Sequence, residues 1–214
     1  PKDKYFNKFD SFFSYILKKT KLNIDHKANI LDIGAGNGRV LLQIRDLTKW
    51  NSLGLEPDET KFKILNYLKL NAINDIFQNT SKSMDNNNFD LIIMSQVLEH
   101  ISNPIAILNE INKKLKKGGY LWIDVPLCNN NYFKSRTNDY VGHLYFFDEV
   151  SLKNILIKNN FHIISRGSYG KKLPNNRGTL TTIKIFTKYI LNKYLPLLIM
   201  NLNKNISMRK NKFK

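Results

Sequence analysis

The sequence predicts an α/β protein: a doubly wound, mostly parallel sheet with helices on both faces. Three observations carry this. Ile30-Leu31-Asp32-Ile33 is an apolar strand that runs straight into Gly34-Ala35-Gly36-Asn37-Gly38 and then into the helical pattern opened by Arg39-Val40. The next strand, from Trp50, ends in Glu56, 18 residues after Gly38, where a doubly wound sheet places an acid that accepts both hydroxyls of an adenosine ribose. Two further apolar runs, Phe89 to Ser95 and Tyr120 to Pro126, flank a segment with helical spacing, so strand and helix alternate as a parallel sheet requires.

In chain order, residues 1–27 read as a helical cover, because Phe9, Phe12, Phe13, Ile16 and Leu17 share one helix face. That face is expected to pack on the sheet, with Tyr5 or Phe6 the residues that would touch a substrate. Glycines 34, 36 and 38 suit a loop whose backbone takes positive φ and approaches a ligand closely. Pro57-Asp58 opens a second helix carrying Phe62, Ile64, Leu65, Leu68 and Leu70, and Ile76-Phe77-Gln78 reads as a short third strand. Asp85 to Asn88 is a turn. After the strand Phe89–Ser95, a helix is expected from Pro104 to Lys117, with proline in its first turn and Ile105, Leu108, Ile111 and Leu115 facing the core. Gly118-Gly119 ends it, and Tyr120–Pro126 is the fifth strand.

The glycine spacing distinguishes two kinds of cofactor loop. In the dinucleotide fingerprint G-x-G-x-x-G the third glycine falls where this chain has Arg39, and here an acid, Asp32, precedes Gly34 by two residues. D-x-G-x-G-x-G is similar to the first motif of class I S-adenosylmethionine (SAM) methyltransferases. The string Gln96-Val97-Leu98-Glu99-His100-Ile101-Ser102-Asn103-Pro104 resembles the post-strand motif of ubiquinone-pathway O-methyltransferases, E-V-L-E-H-x-x-x-P. The resemblance spans about residues 28 to 165. It implies a Rossmann-like sheet of seven strands, SAM as cofactor and S-adenosylhomocysteine as product. It further implies a cofactor site formed by Asp32, near the cationic amino end, the loop Gly34, Ala35, Gly36, Asn37 and Gly38, then Glu56 and Pro57, Thr80 or Ser81 beside the adenine, and Ser95 and Gln96. On this reading residues 28–170 are the methyltransferase core.

Chemistry is expected at the carboxyl ends of strands four and five, where the candidates are Glu99, His100 and His143. A histidine titrates near neutrality and can take a hydroxyl proton; His143 is the first choice and His100 the second. Some related methyltransferases, including those acting on small-RNA ends, hold a divalent metal with two Glu and two His. Glu99, His100 and His143 would be the ligands here, but the first Glu is replaced by Gln96, a weaker ligand for a hard cation, so no metal is assigned from the sequence. His26 and His162 flank strands and read as structural, and no motif supports Cys128 as a nucleophile.

A chain of 214 residues with 42% apolar content suits one domain with one large core. One cysteine allows no internal disulfide, which fits a reducing compartment, and no signal peptide or run of 18 apolar residues is present, so the reading is cytoplasmic. Charge is uneven: residues 1–149 carry 20 Lys+Arg against 17 Asp+Glu, whereas residues 150–214 carry 14 Lys+Arg and no acid. Either this basic half meets an acidic partner or it reflects an Asn/Lys/Ile-rich composition. Within residues 171–214, Thr181 to Asn203 reads as a basic amphipathic segment, packed as a helix pair broken at Pro196 in preference to lying on the inner face of a membrane. Asn205 to Lys210 reads as the last edge strand. The expected acceptor is a hydroxyl of a sugar or glycan precursor, since the late His143-Leu144-Tyr145-Phe146-Phe147 segment resembles bacterial methyltransferases of surface-polysaccharide pathways. An RNA methyltransferase using the basic tail is the alternative, disfavoured because the tail has no stacking motif; a non-catalytic SAM-binding subunit is a third.

Overall fold

In the computed structural model, residues 19–128, 142–172 and 179–189 are described. Seven strands form one sheet in the order β3-β2-β1-β4-β5-β7-β6. They are β1 (Asn29–Ile33), β2 (Asn51–Leu55), β3 (Ala72–Ile73), β4 (Phe89–Ser95), β5 (Leu115–Pro126), β6 (Phe161–Lys172) and β7 (Thr179–Tyr189). Strands β1 to β5 pair in parallel, and β7 runs antiparallel to both β5 and β6. The order reverses between β1 and β4, which opens a crevice at their carboxyl ends.

Among the described residues, five α-helices flank the sheet: α1 (Arg39–Leu47), α2 (Glu59–Tyr67), α3 (Phe77–Thr80), α4 (Pro104–Lys114) and α5 (Glu149–Lys158). The near-continuous apolar run of β4 follows from burial on both faces. Ile92 and Met94 join Leu121, Ile123 and the α4 and α5 residues Ile107, Leu108, Ile111, Leu152 and Leu156. Leu91 and Ile93 point the other way, to Ile30, Ile44, Trp50 and Trp122. Local signals start the helices: the Asp58 carboxylate accepts from Lys61 N, the Asn103 side chain from Ala106 N ahead of Pro104, and Asp148 and Ser151 form a reciprocal capping box.

Three sequence expectations are corrected. The third strand is Ala72–Ile73, not Ile76–Gln78, which falls at the start of α3. The Asp75 carboxylate accepts from Ile76 N (2.7 Å) and Asn79 Nδ2 (2.8 Å), a local arrangement that turns the chain into a helix. Helix α4 stops at Lys114, because Leu115 already pairs with Phe89 and the ladder shifts register before Tyr120. Gly118 and Gly119 lie within β5, Gly118 at φ 78°. Residues 181–189, read as helix, lie in β7. Ile183 and Ile185 alternate there with Thr182 and Lys184, a period-2 pattern, and β5 has a free edge for that strand to fill. The sheet therefore extends past residue 170. Of the expected helical cover over residues 1–27, residues 1–18 lie outside the described residues and 20–27 form bends and turns that lead into β1, not helix; the helical reading of 190–203 and the edge strand at Asn205–Lys210 also lie outside the described residues.

Gly38 caps α1 in the left-handed region, φ 76°, and a Cβ there would sit 2.5 Å from both Leu65 and Leu70. Left-handed strain of ~1–2 kcal/mol adds to overpacking of ~1–3 kcal/mol. Gly38→Ala should therefore lower the stability measured by urea unfolding by roughly 2–5 kcal/mol; an unchanged midpoint would refute this packing account.

Candidate active site

The crevice is shaped first by backbone hydrogen bonds. Gly34 N and Ala35 N both donate to Leu55 O, at 2.8 and 2.9 Å, which binds the glycine loop to the end of β2. The Glu56 carboxylate then grips both sides: Oε2 accepts from Gly36 N at 2.6 Å and Oε1 from Asp58 N at 2.9 Å. Gly36 has φ 57°, and a Cβ added there meets nothing within 4 Å, because it would project into open space. Gly34, at φ 73°, has no such room, since its Cβ would lie 2.5 Å from Val97.

That open space is a cavity of about 580 Å³, a size suited to a cofactor. Of the sequence candidates, Gly34, Gly36, Glu56, Pro57, Ser95, Gln96 and His100 line it. Ala35, Asn37 and Gly38 shape the loop from behind. Thr80 and Ser81 are not on its lining, and Ser81 is buried. Their place is taken by Asp75, Ile76, Phe77 and Gln78, the turn after β3 that sequence reasoning missed. The available signal was an acid just past a strand, as at Glu56, hidden because β3 has only two residues.

Beneath the loop, Asp32 is buried with the carboxylates of Glu56 and Asp124 nearby. Burial foremost, then Glu56 and Asp124, push its pKa up from the usual carboxylate range to about 7. Asp124 lies opposite Ser95 across the β4–β5 ladder, and the backbone of Gln96, at φ 56°, is held by a bond from its N–H to Asp124 O (2.9 Å).

Next to the cavity the structure brings Glu99, His100 and His143 together. Glu99 is 1% exposed, and neither of its side-chain oxygens has a hydrogen-bond partner. Burial raises its pKa to about 7, with Asp124 adding to the shift. Leu144 N and Tyr145 N donate to Glu99 O at 2.8 and 3.0 Å, pinning the loop that carries His143. His100 Nδ1 lies 2.8 Å from Gly142 O. A carbonyl only accepts, so Nδ1 carries the proton. The two imidazoles meet edge-on, with centroids 4.7 Å apart, and one ligand atom from each of the three residues lies within 4.8 Å of the others.

Other residues are set aside by their positions. Cys128 is buried, and burial, with Asp148 and Glu99, pushes its thiol up to about 11, so it is no thiolate nucleophile. His26, in the turn before β1, and His162, on β6, are exposed and do not line the cavity. No helix among the described residues is long and apolar enough to cross a membrane.

A doubly wound sheet with a glycine loop, an acid after β2 and a cavity at the strand ends defines a nucleoside-cofactor enzyme of the Rossmann-like class. Residues 4–166 match the family described as a methyltransferase domain, and the chain belongs to that family, with SAM as its cofactor. Its fold is similar to that of a SAM-dependent methyltransferase from Archaeoglobus fulgidus, with 18% identity, TM-score 0.65 and coverage of 85% of this chain and 93% of that one. A second from Methanosarcina mazei has 20% identity, TM-score 0.64 and coverage of 83% and 98%. In sequence the chain is similar to the tRNA U34 carboxymethyltransferase of Campylobacter fetus, 26% identical over 162 residues, which cover 69% of this chain and 55% of that protein. The chain spans about half the length of the curated relatives it matches.

Replacing Glu56 by Ala removes the acceptor of two backbone N–H groups. Charged hydrogen bonds of this kind contribute ~1.5–3 kcal/mol, so Glu56→Ala should lower stability by roughly that amount and speed hydrogen exchange at Gly36. Unchanged exchange at Gly36 would show that the loop holds itself.

Proposed function

We propose that this chain transfers the methyl group of SAM to a hydroxyl of a small polar acceptor. The observation that carries the reading is the Glu99–His100–His143 cluster, set beside a cofactor-sized cavity at the carboxyl ends of β4 and β5. SAM supplies a methyl already activated on a sulfonium, so the protein has to seat the acceptor, exclude water and take the hydroxyl proton. In this reading Gly36 gives the cofactor close access to the backbone and Glu56 faces the ribose hydroxyls. Asp75 to Gln78 line the adenine end, in the place first assigned to Thr80 and Ser81. Asp32 provides negative charge for the amino end. The acceptor lies on the His100 side, where Ser95 and Gln96 close the cavity and His143 accepts its proton. A sugar or glycan-precursor hydroxyl is the acceptor suggested by the late His-Leu-x-Phe-Phe segment.

A second reading is favoured by one specific observation: several relatives are named as enzymes of tRNA U34, and the excess of positive charge in residues 150–214 would suit a phosphate backbone.

Methyl transfer from labelled SAM to small hydroxyl compounds and to tRNA separates the two. The first reading expects label in the small-molecule fraction, with His143→Ala slowing transfer ~10²- to 10⁴-fold at nearly unchanged SAM affinity. Label in tRNA, with binding that weakens steeply as salt rises, would establish the second. The cofactor assignment has its own test. Below about pH 7 Asp32 is largely protonated, and a cationic ligand favours its ionised form. SAM affinity should therefore rise as pH approaches 7, by up to about tenfold per unit, and level off above. Calorimetry on Asp32→Asn should lose this slope; an identical slope in the variant would remove Asp32 from the site.

A further inference from the structure

We propose that Glu99, His100 and His143 form a binding site for one divalent transition-metal ion, with coordination positions left open toward the acceptor side of the cavity. The assignment deepens the hydroxyl-acceptor reading and relies on it only for the ion's role, not for its binding. Both oxygens of Glu99 are buried without a hydrogen-bond partner, which is costly for a carboxylate unless something else satisfies it. Two imidazoles stand beside it, with one ligand atom from each residue within 4.8 Å of the others. Tetrahedral ligands at ~2.0–2.2 Å lie roughly 3.4 Å apart, so closure needs a shift on the order of an ångström. The half-buried His143 and exposed His100 have room to make it.

The surroundings fit a metal more closely than a bare imidazole base. His100 gives its Nδ1 proton to Gly142 O at 2.8 Å. This is the outer hydrogen bond that orients a metal-binding histidine and leaves Nε2 to ligate. The same loop is fastened a second time, by Leu144 N and Tyr145 N on Glu99 O, so all three donors are held by one backbone junction between the Leu98–His100 turn and residues 142–145. Gln96 lines the cavity, and Glu99, His100 and His143 supply three ligands without it. Three protein ligands are the complement of a catalytic metal, with the remaining positions free for water or an acceptor oxygen. Two nitrogens and one carboxylate favour Zn²⁺, Co²⁺, Fe²⁺ or Ni²⁺ over the hard, oxygen-preferring Mg²⁺. An acceptor hydroxyl bound to such an ion would lose its proton more easily, the effect by which Zn²⁺ acidifies water; with His143 engaged as a ligand, that proton would pass to solvent in place of the imidazole.

The test uses the full chain without a polyhistidine tag, stripped with a chelator. Titration with Co²⁺, followed by its visible d–d absorption, and with Zn²⁺ by calorimetry, should show one ion per chain. Mg²⁺ should bind at least about tenfold more weakly. His143→Ala and Glu99→Gln should each weaken Co²⁺ binding by at least about tenfold, while His26→Ala and His162→Ala should leave it unchanged. Because Glu99 is buried, His100→Ala provides an exposed variant that tests the same site without disturbing the core. Absence of stoichiometric Co²⁺ binding, or binding that survives both His100→Ala and His143→Ala, would overturn the metal site. Full methyl transfer by the stripped enzyme, with loss in His143→Ala, would also overturn it and leave the hydroxyl-acceptor reading standing. Failure of methyl transfer to any hydroxyl compound, with Co²⁺ still bound at this cluster, would remove that reading and keep the metal.

Discussion

One buried carboxylate sets the shape of the site. Glu56 spans the glycine loop and the start of α2 by accepting from Gly36 N and Asp58 N, while Leu55 O takes the amides of Gly34 and Ala35. Together these bonds hold the loop in left-handed conformations at residues 34, 36 and 38 that it would not keep in isolation. The cavity follows from this. Its floor is open at Gly36 because the backbone is pulled back toward β2, and no side chain there fills the space.

Around this clamp the protein collects buried acidic side chains. Asp32 and Asp124 lie near the carboxyl ends of β1 and β5, Glu56 directly follows β2, and Glu99 follows β4. Ion pairs between described residues, such as Arg166 with Glu149 and Lys116 with Asp90, lie on the periphery, where each contributes little. Crowded buried carboxylates are unfavourable in the free protein. The same crowding makes the crevice favour cations over anions. The exposed aromatic segment Tyr145-Phe146 beside His143 gives this side of the site an apolar edge.

Much of this was legible in residue order. The loop, Glu56 and the Glu99-His100 turn each show as a local pattern, because an acid or glycine at a strand end has to serve the crevice there. The third strand was not legible. Ala72–Ile73 is two residues long, and the side-chain bonds of Asp75 redirect the chain just after it, leaving no periodicity to read. The strand at Thr179–Tyr189 was misread because its lysines and apolar residues also satisfy a helical face; only the free edge of β5 selects the extended form.

The sequence by itself determined the class of fold, the glycine loop after β1 and the identities of the chemical groups, because hydrophobic period, glycine spacing and strand-end acids act over a few residues. Only the tertiary structure decided which groups share a site. His143 lies 43 residues beyond His100, and their 4.7 Å meeting exists because the amides of Leu144 and Tyr145 find the carbonyl of Glu99. The same holds for Asp75 at the cavity and for the solvent-free setting of Asp32 and Glu99. Burial and long-range hydrogen bonds depend on how layers pack, and no local pattern encodes that.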